Sequence, residues 1–245
     1  MRFELLPLLD LVSDLYERPR SIARFNKYLE LLQGSTKGDL HLPISGFNPM
    51  AKDHILQKVA ELKALNAEYI VQEVLAQLNS RIRNQINNAT YKVGLNLADD
   101  FLGGWTNRYT TDYDSKFRIS AFVKRCFCVV YFWTSETFTH DVIETRTLEY
   151  VYRTIYRQTN PPPKTLEEHV AQERYVAKQI FSKRDLGGLD DLDFLKTFYK
   201  EHKDTESYHL IFNFFYGDEA SKSLAFPLYG IFEKMAGYKY AKCIN

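Results

Sequence analysis

Glycine and proline are scarce in this chain. Eleven glycines and eight prolines among 245 residues fall below the combined share of roughly 12% that soluble proteins average. So few chain-breakers argue against many short strands and turns, and favour long helices. Cysteine occurs only three times, an odd number that makes no disulfide framework. Cys126 and Cys128 lie two apart, too close for the CxxC redox or zinc pattern, and read as buried, reduced thiols.

Charge of one sign is also missing. Thirty-two basic residues face 31 acidic ones, so nothing advertises a nucleic acid or an anionic membrane as partner. The one local basic stretch, around Arg81, Arg83 and Lys92, reads as a solvated helix end with cations near the negative pole of the dipole. Long hydrophobic runs are absent too. "CFCVVYFW" at 126–133 is the longest, far short of the roughly 20 residues that cross a bilayer. At the N-terminus, Glu4, Asp10 and Asp14 interrupt the apolar stretch, so it lacks the core of a secretory signal. The expectation is a cytoplasmic protein with no membrane partner.

Catalytic signatures are lacking as well: there is no G-x-S-x-G elbow, no H-E-x-x-H, no P-loop and no dinucleotide fingerprint. No cofactor is predicted.

What is present is helical spacing. Leu5, Leu8, Leu9, Val12 and Leu15 form a stripe closed by Pro19, and Ile22, Phe25, Tyr28, Leu29 and Leu32 form a second stopped by Gly34. Asn48-Pro49 opens a pattern running to about residue 88, either one long helix or two meeting near Asn66. Residues 118–133 fit a helix or a buried strand, and we read helix because the neighbours are helical. Further helices are expected at 139–158, from a Thr165/Glu168 capping box to about Lys183, and from Asp190. Residues 207–216 read as a buried helix, and 219–236 as a helix ended by Gly237.

The fold class is therefore mainly α: a bundle-like globular protein of roughly eight to ten helices with one irregular crossover at about 94–117. Residues 1–245 read as a single compact helical domain. It is open to subdivision into an N-terminal layer at 1–93 and a C-terminal bundle at 118–245.

The crossover carries the leading candidate site. "FLGGWTNRYTTDYDSKF" sets Trp105, Tyr109 and Tyr113 four apart, with Asn107, Arg108 and Asp112 between them. Aromatic walls with a few placed polar groups are the make-up of a small-molecule site, and Arg108 suits a carboxylate or phosphate. The competing reading is a packing crossover, in which the rings are buried and the polar residues form turns. Adjacent carboxylates at Asp99-Asp100 point in different directions and form no evident acid–base pair.

The leading functional expectation is a ligand-binding or protein-interaction protein without catalysis, its partner a small molecule or another protein. The alternative is a metal- or carboxylate/histidine-dependent enzyme with its site between C-terminal helices. Its candidate ligands are His140 and Glu144, His169 and Glu173, and the Glu-x-x-His pair Glu206 and His209, with Glu136 one turn before His140.

Overall fold

The computed structural model describes residues 1–36, 38–51, 53–82, 88–101, 106–180 and 191–244. Helices account for 59% of the chain, so the fold is mainly α. The elements run β1 (Arg2–Leu5), α1 (Leu9–Glu17), α2 (Ile22–Leu32), α3 (Asp53–Ala64), α4 (Ala67–Arg81), β2 (Thr90–Ala98), α5 (Arg108–Phe117) and α6 (Ser120–Lys124). They continue with β3 (Phe127–Trp133), α7 (His140–Thr159), α8 (Leu166–Ile180), α9 (Leu192–His202), α10 (Tyr208–Ser223) and α11 (Ala236–Cys243). Among the described residues this makes eleven helices, one more than the expected range, and a small sheet that the sequence did not disclose. No helix among them is long and apolar enough to cross a membrane.

The backbone packs as two compact units. Met1–Ser115 and Ile119–Tyr150 form the first, Lys116–Arg118 and Val151–Asn245 the second. The chain passes between them after Ser115, after Arg118 and after Tyr150.

The first unit is built on the three-stranded parallel sheet, ordered β1-β2-β3. β2 is the central strand, and every residue from Val93 to Ala98 is buried. A parallel strand covered on both faces needs no alternation of apolar and polar residues, so "VGLNLA" shows no period of two. The same holds for β3, where every residue from Cys128 to Trp133 is buried. This corrects the helix reading of 118–133 from Phe127 onward, while Ser120–Lys124 is helical as α6. A run that is apolar at every position fits a period of 3.6 as well as a period of two, and only burial on both faces separates them.

The crossover at 94–117 is corrected in the same way. It opens as the end of β2 and closes as α5, while residues 102–105 lie outside the described part.

Other expectations hold. Helices α3 and α4 meet at Asn66, whose left-handed φ of 52° breaks the long pattern where it was expected to break. In α8, the Glu168 amide donates to Thr165 Oγ1 at 3.3 Å and the Thr165 amide donates back to Glu168 Oε2 at 3.1 Å, a closed capping box. Residues 207–216 are helical. The expected helix at 219–236 is not formed. α10 stops at Ser223, and Pro227 lies in a non-helical segment running to Met235. Asp218 accepts the amides of Tyr229 and Gly230, both at 3.1 Å, and so pins this segment. Gly217, at φ 82°, sets up the arrangement; a Cβ there would sit 2.6 Å from the Glu233 carbonyl oxygen. Gly237 lies inside α11 rather than ending a helix.

Candidate functional site

Parallel strands end together, and β2 and β3 both deliver polar residues at their carboxyl ends. β2 runs directly into Asp99-Asp100, and β3 into Thr134-Ser135-Glu136. The register Ala98↔Trp133 brings these two exits side by side. Carboxyl ends of parallel strands are where open α/β sheets place ligands. With strands in the order 1-2-3 there is no reversal of strand order to open a crevice, so loops and helices must shape any site here.

The two aspartates point in different directions, and both directions are used. Asp99 is buried. Its Oδ2 accepts from Asn48 Nδ2 at 2.9 Å, and its Oδ1 from His54 Nε2 at 3.0 Å and Thr134 Oγ1 at 3.3 Å. The side chain of Asp100 is 4% exposed. Its Oδ1 accepts from Thr134 Oγ1 and the Ser135 amide, both at 3.0 Å. Its Oδ2 accepts from Ser135 Oγ at 2.6 Å and Arg108 Nη1 at 3.1 Å. Thr134 thus bridges the two carboxylates.

Arg108 opens α5 and continues the chain of contacts. Nη2 donates to Glu136 Oε1 at 2.8 Å, and the guanidinium lies 4.4 Å from the Trp133 ring centroid. Glu136 also receives both Nη groups of Arg146 from α7, and Lys58 of α3 donates to its carbonyl oxygen at 2.9 Å. Burial alone would raise the Glu136 pKa, but Arg146 and Arg108 outweigh it and hold the carboxyl below its ordinary value. The ion pairs at this edge thus join Asp100 and Glu136 to Arg108 and Arg146, while Lys58 also pairs with Glu61 at 2.8 Å.

A second layer fixes the loop before α3. The Tyr16 hydroxyl donates to the Asn48 carbonyl oxygen, and Arg24 Nη2 donates to that of Ala51 at 3.0 Å. Gly46 lets this loop lie against β2, since a Cβ there would sit 2.3 Å from Asn96 Nδ2.

The expected crossover residues are only partly brought to this edge. Arg108 is central, and the carboxylates it holds are the protein's own. Asn107 caps α5 instead: its Oδ1 accepts the amides of Tyr109 and Thr110, both at 3.1 Å. Tyr109 is half-buried, whereas Asp112 and Tyr113 are buried in the first unit. Trp105 lies outside the described residues, with Gly103 and Gly104.

Sequence reasoning missed Asn48, His54, Lys58, Thr134 and Ser135, and set Asp99-Asp100 aside. A usable signal existed, since both "VGLNLADD" and "VVYFWTSE" are apolar runs ending in polar residues. Read as strands, they place Asp99, Asp100, Ser135 and Glu136 on one edge. Nothing in the sequence points to His54.

The metal alternative meets varied surroundings. His140 and Glu144 lie in the first turns of α7, where with Asp141 their ligand atoms come within 4.8 Å of one another on an open surface. In the second unit, Glu173 is taken up by Arg153, with Nε donating to Oε1 at 2.8 Å and Nη2 to Oε2 at 2.6 Å. His169 Nδ1 donates to the Thr165 carbonyl oxygen at 2.7 Å, and its ring packs 4.8 Å from that of Phe117. Glu206 lies before α10 begins, and the His209 ring rests 4.4 Å from that of Phe226.

Burial lowers the pKa of His169 below its ordinary 6.5, against the opposing pull of the Thr165 carbonyl, Glu173 and Glu168. A histidine depressed in the folded state takes up its proton more readily when unfolded. Stability is therefore full above about pH 6.5 and falls as pH drops below it. Denaturant titrations at pH 7.5 and 5.5 should show this loss in the wild type and a smaller loss in His169→Gln.

Comparison with known proteins decides nothing further. No family model, curated protein or solved structure matches this chain significantly. The chemistry must be argued from the site alone.

A groove of about 380 Å³ lies in the second unit, lined by Phe194, Leu195, Ile231 and Phe232 with Asp191 and Glu233. Its walls are mostly apolar, and Glu233 is tied to Lys239 at 2.5 Å. Polar groups converge at the strand ends, not here.

Proposed function

We propose that this is a cytoplasmic small-molecule-binding protein whose site lies at the carboxyl ends of β2 and β3. One observation carries the reading. The carboxylates of Asp99 and Asp100 are buried and fully bonded, while the groups resting on them, His54 and Arg108, stay about one-third exposed beside the exposed ring of Phe101. Arg108 carries five N–H groups and spends two on protein partners among the described residues, which leaves donors for a ligand. The rings of Phe101 and His54 meet in a T-shaped contact at 5.4 Å, and exposed Phe101 adds apolar surface beside the imidazole. That none of the three cysteines forms a disulfide suits a reducing compartment.

The ion pairs around Arg108 select the ligand class. Arg108 already has two carboxylate partners, so a ligand anion would compete with Asp100 and Glu136, and a cation would meet Arg108 and Arg146. An uncharged molecule with acceptor oxygens and a planar apolar part pays neither penalty.

Benzamide, benzoate and benzamidine share one shape and differ in charge, so they test this directly by calorimetry on the full chain. Benzamide should bind with a dissociation constant on the order of a millimolar, as a ligand of its size allows. The two ions should bind about tenfold more weakly, and Arg108→Met should weaken benzamide by a similar factor. Benzoate binding more tightly than benzamide would replace this reading with an anion site.

A further inference from the structure

We infer that His54 and Asp99 form a general-base dyad that activates water against the acyl carbon of a small uncharged carboxylic ester. The inference rests on the binding site proposed above and adds a reaction to it.

The geometry fixes the imidazole in one state. An ionised carboxylate only accepts hydrogen bonds, so the proton between His54 and Asp99 belongs to Nε2 of the ring. The lone pair of the neutral imidazole is then on Nδ1, which has no hydrogen-bond partner among the described residues. Asp99 is held in turn by Asn48 and Thr134, and Asn48 by the Tyr16 hydroxyl on its own carbonyl. Burial keeps that hydroxyl protonated by raising its pKa, so it remains a donor. A buried carboxylate behind a partly exposed imidazole sets the tautomer and stabilises the imidazolium once a proton is taken. Asp99 is thus a positioning residue, and His54 is the group that meets substrate.

Among the described residues at this edge, the hydroxyls are already committed. Ser135 Oγ commits its proton to Asp100, the Thr134 hydroxyl faces both aspartates, and Thr106 Oγ1 donates to the Asp99 carbonyl oxygen at 2.8 Å. Cys126 and Cys128 belong to the amino end of β3, away from the strand exits. Water therefore supplies the attacking oxygen.

In the step, His54 Nδ1 takes a proton from water as the water oxygen forms a bond to the acyl carbon. The carbonyl π pair moves onto oxygen, where the remaining Arg108 donors can receive it. Collapse restores the carbonyl and breaks the bond to the alcohol oxygen, which leaves with the proton from Nδ1. Ester and water give acid and alcohol, and no other reactant is needed. A dianionic phosphate ester would have to compete with Asp100 and Glu136 for Arg108, which disfavours it as substrate.

p-Nitrophenyl acetate, uncharged and aromatic, is the probe, with hydrolysis followed at 400 nm using the full chain. Relative to wild type, kcat/KM should fall about a hundredfold in His54→Gln, the share a general base typically supplies. His41→Gln, at an exposed histidine elsewhere, should leave it unchanged. Asp99→Asn should lower kcat while KM stays within about twofold. Because that variant removes a buried charge, the ¹⁵N spectrum of wild-type His54 is the independent measurement: Nε2 should be the protonated nitrogen of the neutral ring. Turnover within twofold of wild type in His54→Gln, or a neutral ring protonated on Nδ1, overturns the dyad. If benzamide binds at this edge but the wild type does not hydrolyse the ester, the dyad alone fails. If benzamide does not bind there, the binding reading fails separately.

Discussion

Replacing Glu173 with alanine is expected to cost about 3–5 kcal/mol of stability and to lower the melting temperature by roughly 6–20 °C. The side chains of Arg153 and Glu173 are 3% and 4% exposed, and two charge-assisted bonds join them in fork geometry. Truncating the glutamate takes two charge-assisted bonds from a buried guanidinium. It also removes the acceptor that Gln172 Nε2 uses at 3.1 Å. Desolvation makes such a pair costly to break but not necessarily favourable to have. The double substitution Arg153→Met with Glu173→Leu should therefore recover most of the loss, which chemical denaturation of the two variants beside wild type would show. A single variant within 1 kcal/mol of wild type would mean that water reaches Arg153.

Asp100→Ala is the second large effect, at about 3 kcal/mol or more, because four donors lose one buried acceptor. Here the loss should extend to function. Asp100 ties the exit of β2 to the turn after β3 and holds Arg108 against Trp133. Without it the turn loses the acceptor of its Ser135 amide, and Arg108 keeps only Glu136. Benzamide affinity should fall with stability. Asp100→Asn keeps the shape and one acceptor oxygen but sets an amide hydrogen against a competing donor, so it should cost about half as much. Denaturant midpoints with benzamide titrations on both variants check the order.

The helices were legible wherever one face alone is buried. α2 and the α3–α4 pair alternate polar and apolar residues at helical spacing, which left one helix or two meeting near Asn66 open. The sheet was not legible, because β2 and β3 are buried on both faces and so carry no alternation. That one omission hid the site as well. Asp99-Asp100 and Thr134-Ser135-Glu136 are 34 or more residues apart, and only parallel pairing makes them neighbours. Arg108 drew notice by its chemistry and sits at the strand ends, whereas Asn107 caps α5, and a helix cap uses the same donors and acceptors as a ligand contact. His54 is isolated in sequence from every residue it works with. It acquires a role only when α3 is placed over the end of β2.

The most direct test of a site at the strand ends is to locate where benzamide binds, using amide chemical-shift changes on the full chain. Shifts concentrated at Asp100, Phe101, Thr106 and Ser135, and reduced in Arg108→Met, are the predicted result. Shifts confined to Phe194, Ile231 and Phe232 would place binding in the apolar groove and contradict it.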